Sequence, residues 1–151
     1  NNAYATSNQH IHYVPAIFYP YTRIRVNMGR NSSLNYKKGY TSVTVLLHEL
    51  THSVWFQQKI FRQAYGNNLD DSFELFAISL ANMYRSELGY GHVRLDHGGT
   101  ELQEVSVEQF LLMHKVILPA FRRLKKHHHD IYDKLASVEV KWNPFKVAVN
   151  F

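Results

Sequence analysis

Five residues, His48-Glu49-Leu50-Thr51-His52, carry the chemistry this chain can most directly do. On a helix, residues four apart share a face, so the two imidazoles can close on one ion. Neutral imidazole is a good zinc ligand. The glutamate beside the first histidine is placed to take a proton from a water that the ion activates. The implied reaction is hydrolysis of an amide. Histidine is common here, at 10 of 151 residues. Even so, composition alone predicts only about 0.03 such matches in a chain of this make-up. The competing reading is two ordinary histidines on a half-exposed helix, hydrogen-bonded to their neighbours.

A catalytic zinc usually has three protein ligands and one open position. Cysteine is absent, which rules out disulfides and thiolate ligands and leaves His, Asp or Glu to hold any metal. Glu74 is the first choice for the third ligand. It lies on the next helix, and the turn signal Tyr65-Gly66-Asn67-Asn68 lets that helix fold back. Asp70, Asp71 and Asp96 compete as carboxylates, and His92 or His97 would complete a three-histidine set. Asp71 with Glu74 also fits a capping box, in which the glutamate only caps its own helix.

The elements that must position these groups follow from periodicity. Ser42 to Lys59 contains no Gly or Pro and predicts a helix capped by Thr41 or Ser42. Val43, Leu46, Leu47, Leu50 and Val54 form its apolar stripe, with Val45, His48, His52 and Trp55 on a neighbouring face. Ahead of it, Thr22 to Met28 alternates apolar and polar and predicts a half-buried strand. The edge of that strand could hold an extended peptide beside the ion. Gly29 to Gly39 reads as a loop, and the polar Asn1 to His12 is expected to be poorly ordered at its start. A second helix is predicted from Asp70 to about Leu88, with Phe76, Leu80, Met83 and Tyr84 as its stripe and Gly89 as its stop. Ser106 opens a third, with Gln109 in capping-box position and Phe110, Leu111, His114 and Ile117 along it. Pro119 breaks or restarts the pattern at Ala120, and the next helix runs to about Leu135. Val138 to Trp142 and Lys146 to Phe151 alternate and predict short strands around Asn143-Pro144. The fold class expected is α+β, mainly helical, with a small sheet beside the motif helix.

Hydrophobic residues are 45% and charged residues 19% of the chain, as in ordinary globular domains, and 1–151 is expected to be one domain. No apolar run is long enough to cross a bilayer, and no signal-peptide pattern is visible. A start at Asn1-Asn2-Ala3 without Met suits an excised domain or a processed fragment. The net charge is +5 and the pI about 9.4. Such a balance can serve nucleic acid, an anionic surface or acidic substrates. Much of it sits in Arg122-Arg123-Leu124-Lys125-Lys126, followed by His127-His128-His129. The ordinary reading of such a run is a solvated helix face. The triple histidine continues into the helical pattern Asp130-Ile131-Tyr132 and is not the metal site, because adjacent residues on a helix diverge. The function class that competes with a hydrolase is a basic domain that binds nucleic acid or an anionic surface and carries a structural or vestigial metal.

Several blocks in order extend the signal beyond one motif. They are Leu46-Leu47-His48-Glu49-Leu50-Thr51-His52-Ser53, Phe73-Glu74-Leu75-Phe76-Ala77, Asn82-Met83-Tyr84-Arg85-Ser86-Glu87, Arg94-Leu95-Asp96-His97-Gly98-Gly99 and Trp142-Asn143-Pro144-Phe145. This order resembles the metallopeptidase domain at the C-terminus of some type VI secretion spike (VgrG-type) proteins and of related bacterial effector toxins. The resemblance implies a zincin-like fold in which zinc is held by His48, His52 and Glu74 and Glu49 is the catalytic base. It further implies a secreted toxin, delivered into a target cell as part of a larger spike or carrier protein. A protein or peptide substrate and a cognate immunity protein are then expected, and nucleic acid is not. A zinc amidase acting on cell-wall peptides is the enzymatic alternative. A second group must stabilise the oxyanion beside the metal, and His97 is the first candidate, ahead of Tyr84, Tyr90 and His92. The chain departs from the family at Gly98, where a second histidine is common. It also has Ile78 four residues after Glu74, where an aspartate often orients a ligand.

Overall fold

The structure is a computed structural model that describes residues 3–5, 11–13, 42–58, 69–96 and 102–151. The predicted strand at Thr22 to Met28, the turn at Tyr65 to Asn68 and His97 lie outside the described residues. The motif helix, α1, spans Ser42–Gln58, and α2 spans Leu69–Glu87, both close to their predicted bounds. Two short antiparallel pairs accompany them. β1 (Ala3–Ala5) pairs with β2 (Ile11–Tyr13), and β3 (Val93–Arg94) pairs with β4 (Leu102–Gln103). β1 and β2 fall in the stretch expected to be poorly ordered at its start, and they pack against α1. The described chain is therefore mainly helical with small antiparallel sheets. Among the described residues no helix is long and apolar enough to cross a membrane.

The packing of α1 overturns its predicted stripe. Val43, Leu50 and Val54 are 49%, 42% and 46% exposed, while Thr44, His48, Thr51, His52 and Ser53 are buried. The polar side of α1, and not the apolar one, faces α2. Hydroxyls make this feasible by bonding back into their own helices. Thr51 Oγ1 donates to the Leu47 carbonyl at 2.7 Å, and on α2 Ser79 Oγ donates to the Leu75 carbonyl at 2.8 Å. α2 likewise exceeds its predicted stripe. Leu75, Phe76, Ala77, Ile78 and Ser79 are all buried, so this stretch is covered on every side and forms the centre of the domain. It ends as predicted: Gly89, at φ +82°, takes the left-handed position, and Tyr90 N–H bonds back to the Arg85 carbonyl at 3.0 Å.

The C-terminal half closes over α2. α3 (Val107–Met113) begins in the predicted capping box: Ser106 Oγ accepts from Gln109 N–H, and the Gln109 side chain accepts from Ser106 N–H. A 3₁₀ turn at Lys115–Ile117 leads into α4 (Leu118–His127), which has Pro119 in its first turn. The single helix predicted from Ala120 to about Leu135 is instead two. It breaks at His128, and α5 spans His129–Ser137. The two C-terminal strands are also not formed. Residues 138–143 are irregular, Pro144–Val147 is a short helix, α6, and Ala148–Asn150 is a 3₁₀ turn. Asn143 is the physical reason. Its Oδ1 caps α6 by accepting from Phe145 N–H at 3.0 Å, and its Nδ2 donates to the carbonyls of Leu135 and Val138 at 2.9 Å each. Proline at the first helical position then suits helix and not strand.

That turn puts Phe145 at the centre of the core. Its ring lies 4.9 Å from Phe121, 5.6 Å from Tyr132 and 5.7 Å from Phe76, each edge to face. The Tyr132 hydroxyl donates to the Phe145 carbonyl at 2.7 Å. Burial first, and then the charge of Asp133, pushes the Tyr132 phenol up to about 12. An unfolded tyrosine titrates at about 10. The neutral phenol thus contributes stability that is complete below pH 10 and is lost as the pH rises towards 12. Tyr132→Phe leaves the Phe145 carbonyl unmet, so urea denaturation at neutral pH should show a loss of about 1–3 kcal/mol. The variant should also lack the decline of the parent protein over that alkaline window.

Candidate metal centre

The polar side of α1 meets the second turn of α2 at three side chains, His48, His52 and Glu74. Helical spacing sets the first two: four residues apart, their Nε2 atoms come within 3.0 Å. Glu74 reaches them from the facing helix. Its Oε2 lies 3.1 Å from His48 Nε2, and its Oε1 lies 3.3 Å from His52 Nε2. Both imidazoles are buried, and the carboxylate is partly exposed. Three electron-rich donors so arranged need protons or a cation between them. Zinc bonds of about 2.0–2.1 Å at tetrahedral angles require donors roughly 3.3–3.4 Å apart, which the His52–Glu74 separation meets and the other two fall slightly short of. The group could therefore hold a metal ion.

The surroundings fix these rings unequally. The His52 ring stacks on Phe73 at 4.4 Å between centroids with 30° between planes, and it meets His48 edge-on at 4.6 Å. His52 Nδ1 is buried with no hydrogen-bond partner among the described residues. Metal-ligating histidines usually donate that other nitrogen to a carbonyl or carboxylate. Here aromatic stacking holds the ring instead. Ile78, four residues after Glu74, is buried in the core.

The electrostatics favour a neutral imidazole and an ionised carboxylate. Burial is the largest effect on His48 and pushes its imidazole below the ordinary 6.5. The charges of His52 and Arg94 act the same way, against the pull of Glu74. Burial alone would push Glu74 up. Its hydrogen bonds with His48 and His52, and their charge, outweigh burial and hold the carboxyl well below the usual carboxylate range. These are the protonation states that ligation requires.

Glu49 lies on α1 beside His48, and its side chain is buried. Of the rival ligands, Asp96 and His92 are exposed and stand apart from the cluster. The side chains of Asp70 and Asp71, like His97, are outside the described residues. Because α2 begins at Leu69, Asp71 sits inside the helix, and Glu74 is turned to the histidines and not to a cap. Sequence reasoning assigned no role to Arg94. Asn82, fully buried on α2, grips it from both sides: its Nδ2 donates to the Arg94 carbonyl at 2.7 Å, and its Oδ1 accepts from Arg94 N–H at 2.8 Å. Arg94 Nε donates to the Asp96 carbonyl at 2.6 Å.

No protein-family model, no curated protein and no solved structure matches this chain. The geometry is the basis for two expectations. One equivalent of zinc should raise the thermal midpoint of the parent protein, and Glu74→Ala or His52→Ala should abolish that shift, as read by calorimetry. Since the fold favours neutral His48, its contribution is present above pH 6.5 and is lost as the pH falls below that value. Metal-free protein should therefore lose stability on acidification from pH 7 to 5, and zinc should weaken in parallel as protons compete for the imidazoles.

Proposed function

We propose that this domain is a zinc-dependent peptidase of zincin-like architecture, with His48, His52 and Glu74 as its ligands. The observation that carries the reading is the convergence of two buried imidazole nitrogens and one carboxylate within 3.0–3.3 Å. The same donor types also suit iron(II). What favours zinc hydrolysis is Glu49, the extra carboxylate placed next to His48 on α1.

Zinc bound there would act as a Lewis acid on the scissile carbonyl and would make water a nucleophile at neutral pH. Glu49 takes the proton from the attacking water and delivers it to the leaving amine as the carbon–nitrogen bond breaks. Arg94 is anchored to α2 through Asn82, and its charge bears on His48. In this reading it stabilises the negative charge that develops on the carbonyl oxygen. His97, the residue after Asp96, is the other donor proposed for that task.

The block order that resembles effector toxins extends the proposal. The domain would be delivered into a target cell by a larger spike or carrier protein, would act there on a protein or peptide, and would be neutralised in the producer by an immunity protein. Expression of the parent domain should then slow growth of a susceptible cell, and Glu49→Gln should be harmless.

In vitro, Glu49→Gln should keep stoichiometric zinc while hydrolysis of a protein substrate falls about 10²–10⁴-fold. Turnover at the parent rate would reject the base assignment. Arg94→Gln should also keep zinc and lower kcat about 10²-fold, with little change in KM. An unchanged kcat would remove Arg94 from the mechanism.

A further inference from the structure

The basic run from Arg122 to His129 has no part in the metal centre. Arg122, Lys125 and Lys126 stand three and four residues apart on α4 and so share one face. All three line an open pocket of about 270 Å³ between α4, α5 and the turn at Ala148–Asn150. Its floor is aromatic, from the buried rings of Phe121 and Tyr132. Lys125 Nζ lies over the Tyr132 ring, 5.6 Å from its centroid, and Arg122 Nη2 donates to the Phe151 carbonyl. These contacts aim the two cations and leave most of their N–H groups available, since arginine carries five donors and lysine three.

No Asp or Glu side chain lines the pocket, and among the described residues none of the three cations is ion-paired with one. Like charges three and four residues apart on a helix repel. Part of the cluster answers the exposed carbonyls at the end of α4, because Lys125 and Lys126 lie in its last turn. Arg122 lies outside that turn, and it brings a third charge to the same cavity.

We propose that this pocket binds the phosphate group of a small phosphorylated ligand. The planar guanidinium of Arg122 suits two phosphate oxygens, and the two ammonium groups supply the remaining charge. The Tyr132 and Val149 side accepts the organic part next to the phosphate. The volume lies below the usual 300–1,000 Å³ or so of sites for drug-sized molecules, so the pocket suits a phosphate with a small appendage and not a length of polymer. A soluble phosphomonoester and an anionic lipid headgroup share this chemistry. The site is independent of the metal centre.

The test is an NMR titration of the parent chain at constant ionic strength with pyrophosphate and with glucose 6-phosphate. Vesicles of phosphatidylglycerol, against phosphatidylcholine alone, form a separate arm. Amides of 121–126, Tyr132 and 148–149 should shift. Affinity should fall at least about tenfold in the exposed double variant Lys125→Gln/Lys126→Gln, whose unperturbed amides elsewhere report an intact fold. Saturable glucose 6-phosphate binding without vesicle binding assigns a soluble ligand, and vesicle binding lost in the double variant assigns a headgroup. No shift beyond that of sodium chloride, or equal affinity in the double variant, overturns the proposal. So does DNA binding that is spread over amides outside the pocket, because that is a diffuse basic surface.

Discussion

One contact governs the rest of the site: the polar side of α1 laid against α2, with Glu74 spanning His48 and His52. Taking a carboxylate and two imidazoles out of water is unfavourable unless each finds a partner. Here they find one another. The carboxylate offers one oxygen to each ring, and the rings touch through their Nε2 atoms. Two hydroxyls of this pair of helices, those of Thr51 and Ser79, bond to their own helix carbonyls. An interface of this kind is selective because it holds together only when all three donors converge.

The helix that supplies Glu74 also organises everything behind it. α2 carries Phe73 against His52, Asn82 against Arg94, and Arg85, whose Nε and Nη2 both donate to the His92 carbonyl at 3.2 Å. Ser86 Oγ, near the helix end, accepts from Trp142 N–H at 2.9 Å and ties in the C-terminal segment. Phe76, buried between these, joins the aromatic core of Phe121 and Phe145. A candidate metal ligand, the clamp on the neighbouring loop and the core are therefore fixed by one rigid rod. That arrangement gives a site the positional precision that loops alone do not supply.

Local signals were legible wherever one short stretch decides the structure. The capping box at Ser106 and Gln109, the left-handed stop at Gly89 and the uninterrupted α1 all formed as their residues imply. Signals failed where distant partners decide. Alternation from Val138 to Trp142 looks like strand, but Asn143 binds carbonyls on α5 and caps α6, and no pattern count contains that network. The apolar residues of α1 have helical spacing, yet spacing does not say which face meets α2. His48 and Glu74 draw the polar face inward.

By itself, the sequence determined that two imidazoles and a carboxylate would share one helix, since a period of 3.6 residues places positions four apart on one side. It also excluded thiolate ligands through the absence of cysteine. Only the tertiary structure decided that Glu74 faces them and that Asp96 and His92 do not. Only the tertiary structure placed Arg94 under the grip of Asn82 and gathered Arg122, Lys125 and Lys126 around one cavity. The reason is that a helical period fixes directions within an element. Which elements face each other depends on how buried charge and aromatic surface are jointly satisfied across the whole chain.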